Sequence, residues 1–174
     1  MQFLRPAILF LLSASCAASM RAQSSVGVAI GPSIPIGTIG ANDGLGYHIV
    51  GMAQTLPLSR ALGFRFEASY DAFTRQGTVQ HITERVIAGS ANMVARPTGQ
   101  MTTMPYLIGG FGMYNQGTRP APVSSSPSTE IGYNFGGGVQ LARRGIKAYA
   151  EARYHNVMID GGARFMPITF GVVF

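Results

Sequence analysis

The sequence is poor in charged residues and in cysteine, and it lacks tryptophan. Only 11% of its 174 residues are charged, whereas a soluble domain usually carries about a quarter. The single cysteine, Cys16, lies in a segment that we expect to be removed, which excludes a disulfide framework in the mature chain. No later stretch contains the roughly 20 apolar residues that a membrane helix requires. The length suits one domain.

The charge that is present is scattered. The formal net charge is +6, Lys147 is the only lysine, and only Arg143 and Arg144 are adjacent basic residues. A nucleic-acid-binding surface usually concentrates its basic side chains in a patch or stripe. We therefore do not expect a nucleic-acid partner.

The N-terminus has the layout of an export signal. Arg5 precedes an apolar stretch, residues 7–18, that ends in small residues. This stretch is too short for a membrane span, so a signal peptide over residues 1–23 is favoured. Cleavage after Ala18 or near Ala22 and Gln23 both remain open, and lipidation at Cys16 is the weaker alternative. The mature domain is predicted to comprise residues 24–174.

The dominant period of the mature chain is two, which predicts β-strands. Between Leu62 and Ala72, apolar residues alternate with polar ones, so that one face is apolar and the other carries charge. The same alternation recurs in residues 131–141, in 146–155 and in the last strand. Weaker strands are predicted at 26–33, 47–56, 82–96 and 105–114.

About eight strands of this length predict an all-β fold, an antiparallel up-and-down transmembrane β-barrel. The predicted connections alternate between short and long, as in bacterial membrane barrels. The short ones are residues 57–61, 97–103 and 143–145. The long ones are residues 35–46, 73–81, 115–130 and 156–164.

Alternation also fits a soluble barrel with the opposite orientation, so other features must decide which face is inside. The polar face of residues 131–141 consists of glycine, asparagine and glutamine without charge, which suits a tight lumen better than a soluble exterior. Aromatic residues near the strand ends predict two belts at the membrane interfaces. The belt residues are Tyr47, Tyr70, Tyr114, Tyr133, Tyr154 and Phe165 towards the long loops, and Phe64, Tyr106 and Phe174 towards the short turns.

The C-terminal strand, the segment 105–112 and the segment 150–155 together resemble the outer membrane protein β-barrel domain family, which includes small OmpA- and OmpX-like barrels. The resemblance covers about residues 25–174 and implies location in the outer membrane of a Gram-negative cell. It makes Phe170, Val172 and Phe174 the expected C-terminal assembly signal. The expected partners are outer-membrane lipids, periplasmic chaperones and the barrel-assembly machinery. Pro167 departs from the pattern because it removes a backbone donor from the last strand.

A set of charged residues projects towards the predicted lumen, where opposite charges would pair. The set is Arg65, Glu67, Asp71, Glu151, Arg153 and His155. This lumen polar network is interpreted either as a structural filling or as the gate of a narrow porin-like pore. The filling is favoured, because the resemblance implies a filled interior.

No sequence motif indicates catalysis, a cofactor or a metal. His48, His81 and His155 lack ligand spacing on a shared element, and Ser69 and Ser90 lack a histidine that the sequence alone can bring near. We expect a non-enzymatic, structural or loop-presenting barrel whose extracellular partner the sequence does not identify. The alternatives are a narrow channel, a lipid-modifying outer-membrane enzyme and a soluble periplasmic ligand-binding barrel.

Overall fold

The structure, a computed structural model, describes residues 25–37, 43–55, 61–75, 82–99, 101–119, 128–143, 146–158 and 162–174. The predicted signal peptide and its cleavage site lie outside these residues. Eight antiparallel strands follow one another around a closed barrel, each paired with its sequence neighbours, and the first pairs with the last. The strands are β1 (Ser25–Ile36), β2 (Gly46–Thr55), β3 (Leu62–Thr74), β4 (Thr83–Ala95), β5 (Thr103–Arg119), β6 (Ser128–Arg143), β7 (Ile146–Val157) and β8 (Arg164–Val173).

The predicted all-β, eight-stranded, up-and-down barrel is confirmed. The main difference is in β5 and β6, which are longer than expected. Their pairing continues to Gln116 opposite Ser128, so the connection predicted as residues 115–130 is reduced to residues 120–127. Gly and Asn residues weakened the sequence pattern there, although cross-strand pairing stabilises the hairpin. No helix in the described ranges is long and apolar enough to span a membrane.

The two faces of the barrel wall differ sharply in polarity. Large apolar side chains are exposed on the outside, including Phe66, Leu107 and Phe135, which are 51%, 69% and 56% exposed. Charged side chains such as Arg65 and Glu151 are buried inside, at 2% and 3%. A water-soluble barrel would reverse this arrangement. The orientation predicted from β3, β6, β7 and β8 agrees with the observed burial.

Three of the predicted belt aromatics are on the wrong face. Tyr106, Tyr114 and Phe165 are 4%, 0% and 0% exposed and fill the lumen. In β5, glycines on both faces obscure the alternation that would have placed Tyr106 and Tyr114. Phe165 alternates with the outward-facing Met166, so its position in the strand requires it to face inward.

The pairing of β8 is interrupted near Pro32 of β1 and near its own Pro167. Between β1 and β8, the ladder is absent from Gly31 to Pro32 and resumes where Ser33 faces Pro167. Between β7 and β8, it stops after Ala152 and resumes at His155, with the register unchanged. Proline has no backbone N–H to donate, so the donor that Pro167 removes leaves a local gap in an otherwise continuous sheet.

Candidate functional site: a filled polar lumen

Four charged side chains form a closed cycle across the middle of the lumen, which we call the charged ring. Arg65 contacts Glu151 at 2.6 Å and Glu67 at 3.4 Å. Arg153 contacts Glu67 at 2.5 Å and Glu151 at 2.9 Å. Every member therefore has two partners of opposite sign, and the formal charges of the ring sum to zero. All four are at least nine-tenths buried.

Uncharged side chains add hydrogen bonds to the two glutamates of the charged ring. The Tyr106 hydroxyl donates to Glu151 at 2.7 Å, and the Asn92 amide donates to Glu67 at 3.0 Å. The Arg65 guanidinium also lies over the rings of Tyr106 and Tyr149, at 5.3 and 5.5 Å from their centroids. Such partners offset part of the large desolvation penalty of a buried charge.

Glycines in β6 make space for these large side chains. In the β6–β7 register, Gly136 faces Arg153 and Gly138 faces Glu151. A Cβ at Gly136 would lie 2.9 Å from the Arg153 Cγ, and one at Gly138 would lie 2.7 Å from the Tyr106 hydroxyl oxygen. The glycine face of β6 is therefore part of the site, because a larger residue there would displace the ring.

A second polar cluster, the outer polar group, lies nearer the long loops. The Ser33 hydroxyl donates to Asp71 Oδ1 at 2.8 Å, and His48 Nδ1 contacts the same oxygen at 2.8 Å. His155 Nδ1 pairs with the Tyr114 hydroxyl at 3.1 Å. The sequence-predicted network is thus divided in two, since Asp71 and His155 do not contact the charged ring in the described hydrogen bonds and ion pairs.

An aromatic layer separates these polar groups from the loops. His155 stacks on Phe165 with ring centroids 4.8 Å apart. Phe165 also contacts Phe73 and Tyr114 edge-on, at 5.8 and 6.5 Å. The rings of Phe73, Tyr114 and Phe165 are fully buried. The lumen therefore contains an aromatic layer, the outer polar group and the charged ring stacked along the axis, which matches the narrow interior of an eight-stranded barrel.

At the outer rim, Arg75 is shared by two carboxylates. It forms an ion pair with Glu84, and its Nε lies 3.8 Å from Asp43 Oδ1. Burial raises the pKa of Asp43 above its ordinary value, and the positive charge of Arg75 only partly opposes this. The ion pair with Arg75 therefore fixes the Asp43 carboxylate at the rim, although burial removes most of its solvation.

Several lumen residues escaped the sequence analysis. Ser33, His48, Asn92 and Tyr106 all contribute polar contacts, yet none was among the predicted network residues. The alternation in β4 could have placed Asn92 inside, because it shares a face with the buried Val94. In β1 and β5, the mixture of glycine, proline and apolar residues left no such signal.

Within the residues that the structure describes, one polar group has the residue types of a catalytic triad, but its arrangement differs from one. Ser33, Asp71 and His48 are the residue types of a nucleophilic triad, but the carboxylate lies between the other two. Within the described hydrogen bonds, no contact joins Ser33 to His48, as an activated serine would need. The group is also at most 1% exposed. In the part of the chain that the structure describes, no three His, Cys, Asp or Glu residues cluster as metal ligands would.

An apolar exterior around a narrow, filled polar lumen is the fold of the small eight-stranded outer-membrane β-barrels, and at the level of the fold the predicted resemblance is confirmed. Solved structures similar to this chain include neisserial surface protein A (TM-score 0.65, 17% identity, covering 86% of this chain and 95% of that one). They also include the outer membrane enzyme PagL (0.55, 13%, 86% and 98%) and the N-terminal β-barrel domain of Pseudomonas aeruginosa OprF (0.54, 16%, 87% and 98%). No family model and no curated sequence matches.

Proposed function

We propose that this protein is a closed outer-membrane barrel that presents its loops outside the cell, and that its lumen is a structural filling. It is then neither a channel nor an enzyme. The observation that carries this proposal is the charged ring, in which each arginine and each glutamate forms two ion pairs inside the lumen.

An ion-conducting lumen would need polar side chains that face water. In this barrel, Glu67 is the most exposed member of the charged ring at 8%, and its carboxylate is bound by Arg153 and Asn92. Above the ring, Phe73 and Phe165 close the lumen with apolar surface. An ion would have to displace several of these contacts to pass, which supports a non-conducting barrel.

Conductance across a planar lipid bilayer tests the proposal. The purified protein is first shown to be folded and inserted by its heat-dependent gel mobility in the outer-membrane fraction. We expect no steady single-channel current from the wild type or from the Glu67→Gln variant. Steady ion-selective currents that change when Glu67 or Arg153 is neutralised would instead establish a narrow pore.

Two further measurements distinguish the remaining alternatives. Overproduction should leave the lipid A and phospholipid profiles of the cell unchanged, whereas a new lipid species would indicate a lipid-modifying enzyme. The protein should be extracted with the membrane fraction by detergent. Recovery in the soluble periplasm without a heat-dependent shift would favour a ligand-binding barrel.

A further inference from the structure

Charge is distributed unequally between the two ends of the barrel. The end with the long loops has acids and arginines in equal number in the sequence. Those that the structure describes are Asp43, Glu84 and Glu130 with Arg75, Arg85 and Arg164, and the sequence adds Asp160 and Arg119. The end with the chain termini has only basic residues. The sequence of residues 53–64, 93–107 and 139–150 contains five basic residues and no Asp or Glu, and the structure describes the side chains of Arg96 and Lys147 among them. The terminus end therefore has a positive potential that no acidic side chain there neutralises.

Arg96 is the best defined member of this basic end. It directly follows β4, its backbone N–H donates to the Ala61 carbonyl at 2.7 Å, and its side chain is partly buried. The cation of Arg65 and the phenol of Tyr106 lie near its guanidinium, and no ion pair joins Arg96 to a carboxylate among the residues that the structure describes. Burial and the charge of Arg65 both lower the pKa of Arg96. An arginine nevertheless stays protonated in proteins, so its environment favours an added anion.

Arg96 borders an open cavity of about 400 Å³ at this end of the barrel. The lining combines lumen-facing positions such as Gln54 and Gly63 with outward-facing ones such as Thr55 and Leu62. Leu62 starts the apolar face that continues along β3 to Phe66. The cavity therefore lies at the terminus-end edge of the apolar exterior, where we expect the lipid headgroups to be.

We propose that this cavity binds the phosphate of an anionic phospholipid from the membrane leaflet at the terminus end, with Arg96 as the phosphate ligand. A guanidinium presents several N–H donors to one phosphate. The apolar residues beside the cavity would contact the acyl chains of the same molecule, which a soluble anion lacks. A basic side chain near a lipid surface is expected to strengthen binding of an anionic lipid about fivefold.

Native mass spectrometry of the folded barrel in detergent tests this proposal by titration with phosphatidylglycerol and, separately, with phosphatidylcholine. For the wild type, we expect a lower Kd for phosphatidylglycerol. Arg96→Gln should raise that Kd about fivefold and leave phosphatidylcholine binding unchanged, whereas Arg96→Lys should keep most of the preference. The matched control is Arg164→Gln, which removes one exposed arginine from the opposite end and should bind as the wild type does.

Three outcomes would overturn the proposal. Equal affinity of the wild type for both lipids would show that no site for anionic lipid exists, and this result needs no variant to fold. Equal effects of Arg96→Gln and Arg164→Gln mean that only the net charge matters. Displacement of the lipid by equimolar sn-glycerol 3-phosphate means that the cavity takes a soluble phosphate compound rather than a lipid.

Discussion

Each charged side chain in the lumen is stabilised by its ion-pair partners, because burial removes its contact with water. Arg153 contacts Glu67 at 2.5 Å and Glu151 at 2.9 Å, and its side chain is 3% exposed. Such a pair adds little net stability when both partners are present, but removing one partner leaves an uncompensated buried charge. The charged ring is therefore expected to respond to substitutions as a unit.

Replacing Arg153 with methionine should lower the free energy of unfolding by about 3–5 kcal/mol, since Glu67 and Glu151 each lose a cationic partner. Urea unfolding of the barrel in lipid vesicles measures the change. The double variant Arg153→Met with Glu67→Gln should lose less than the sum of the two single losses, because charge balance returns. Additive losses would mean that the ring does not act as a unit.

The glycines of the barrel wall should differ according to the face they occupy. A Cβ at Gly138 would lie 2.7 Å from the Tyr106 hydroxyl oxygen, whereas nothing lies within 4 Å of one at Gly89 on the outside. We expect Gly138→Ala to destabilise the barrel by about 1–3 kcal/mol through overpacking. Gly89→Ala should stay within about 0.5 kcal/mol of the wild type. The same unfolding assay checks both, and equal tolerance would contradict the packing described for β6.

At the scale of the strand, the sequence predicts elements well wherever one face is apolar and the other polar. The alternation in β3 and β7 correctly identified the faces that point into the lumen. It was weak in β5, where Gly109, Gly110 and Gly112 occupy both faces, and there two tyrosines were assigned to the wrong side. Glycine has no side chain, so a period of two cannot be read from it.

At the scale of the whole molecule, closure of the sheet creates contacts that no local pattern contains. The contact from Arg65 to Glu151 and that from Arg153 to Glu67 both join residues 86 positions apart in the chain. The sequence indicated which side chains face inward, but alternation gives no information about which inward side chains meet across the lumen. That depends on the stagger between strands and on the space left by glycines in β6.

The apolar exterior gives a prediction about depth in the membrane. Phe66 lies in the middle of β3 and is 51% exposed on the outside, so Phe66→Arg should cost about 2–4 kcal/mol of stability in lipid vesicles. Thr55 ends β2 at the terminus end, near the interface, and Thr55→Arg should cost only about 0–1 kcal/mol. Equal losses at the two positions would mean that the band around Phe66 does not face lipid.

The barrel wall is higher on one side than on the other. β6 continues to Ser128, although its ladder with β7 ends where Gly132 faces Val157. The β5–β6 hairpin therefore continues four residues further, roughly 13 Å along the strand at about 3.3 Å per residue. In the proposed orientation this hairpin extends towards the cell exterior, so a peptide tag inserted between residues 120 and 127 should be labelled on intact cells.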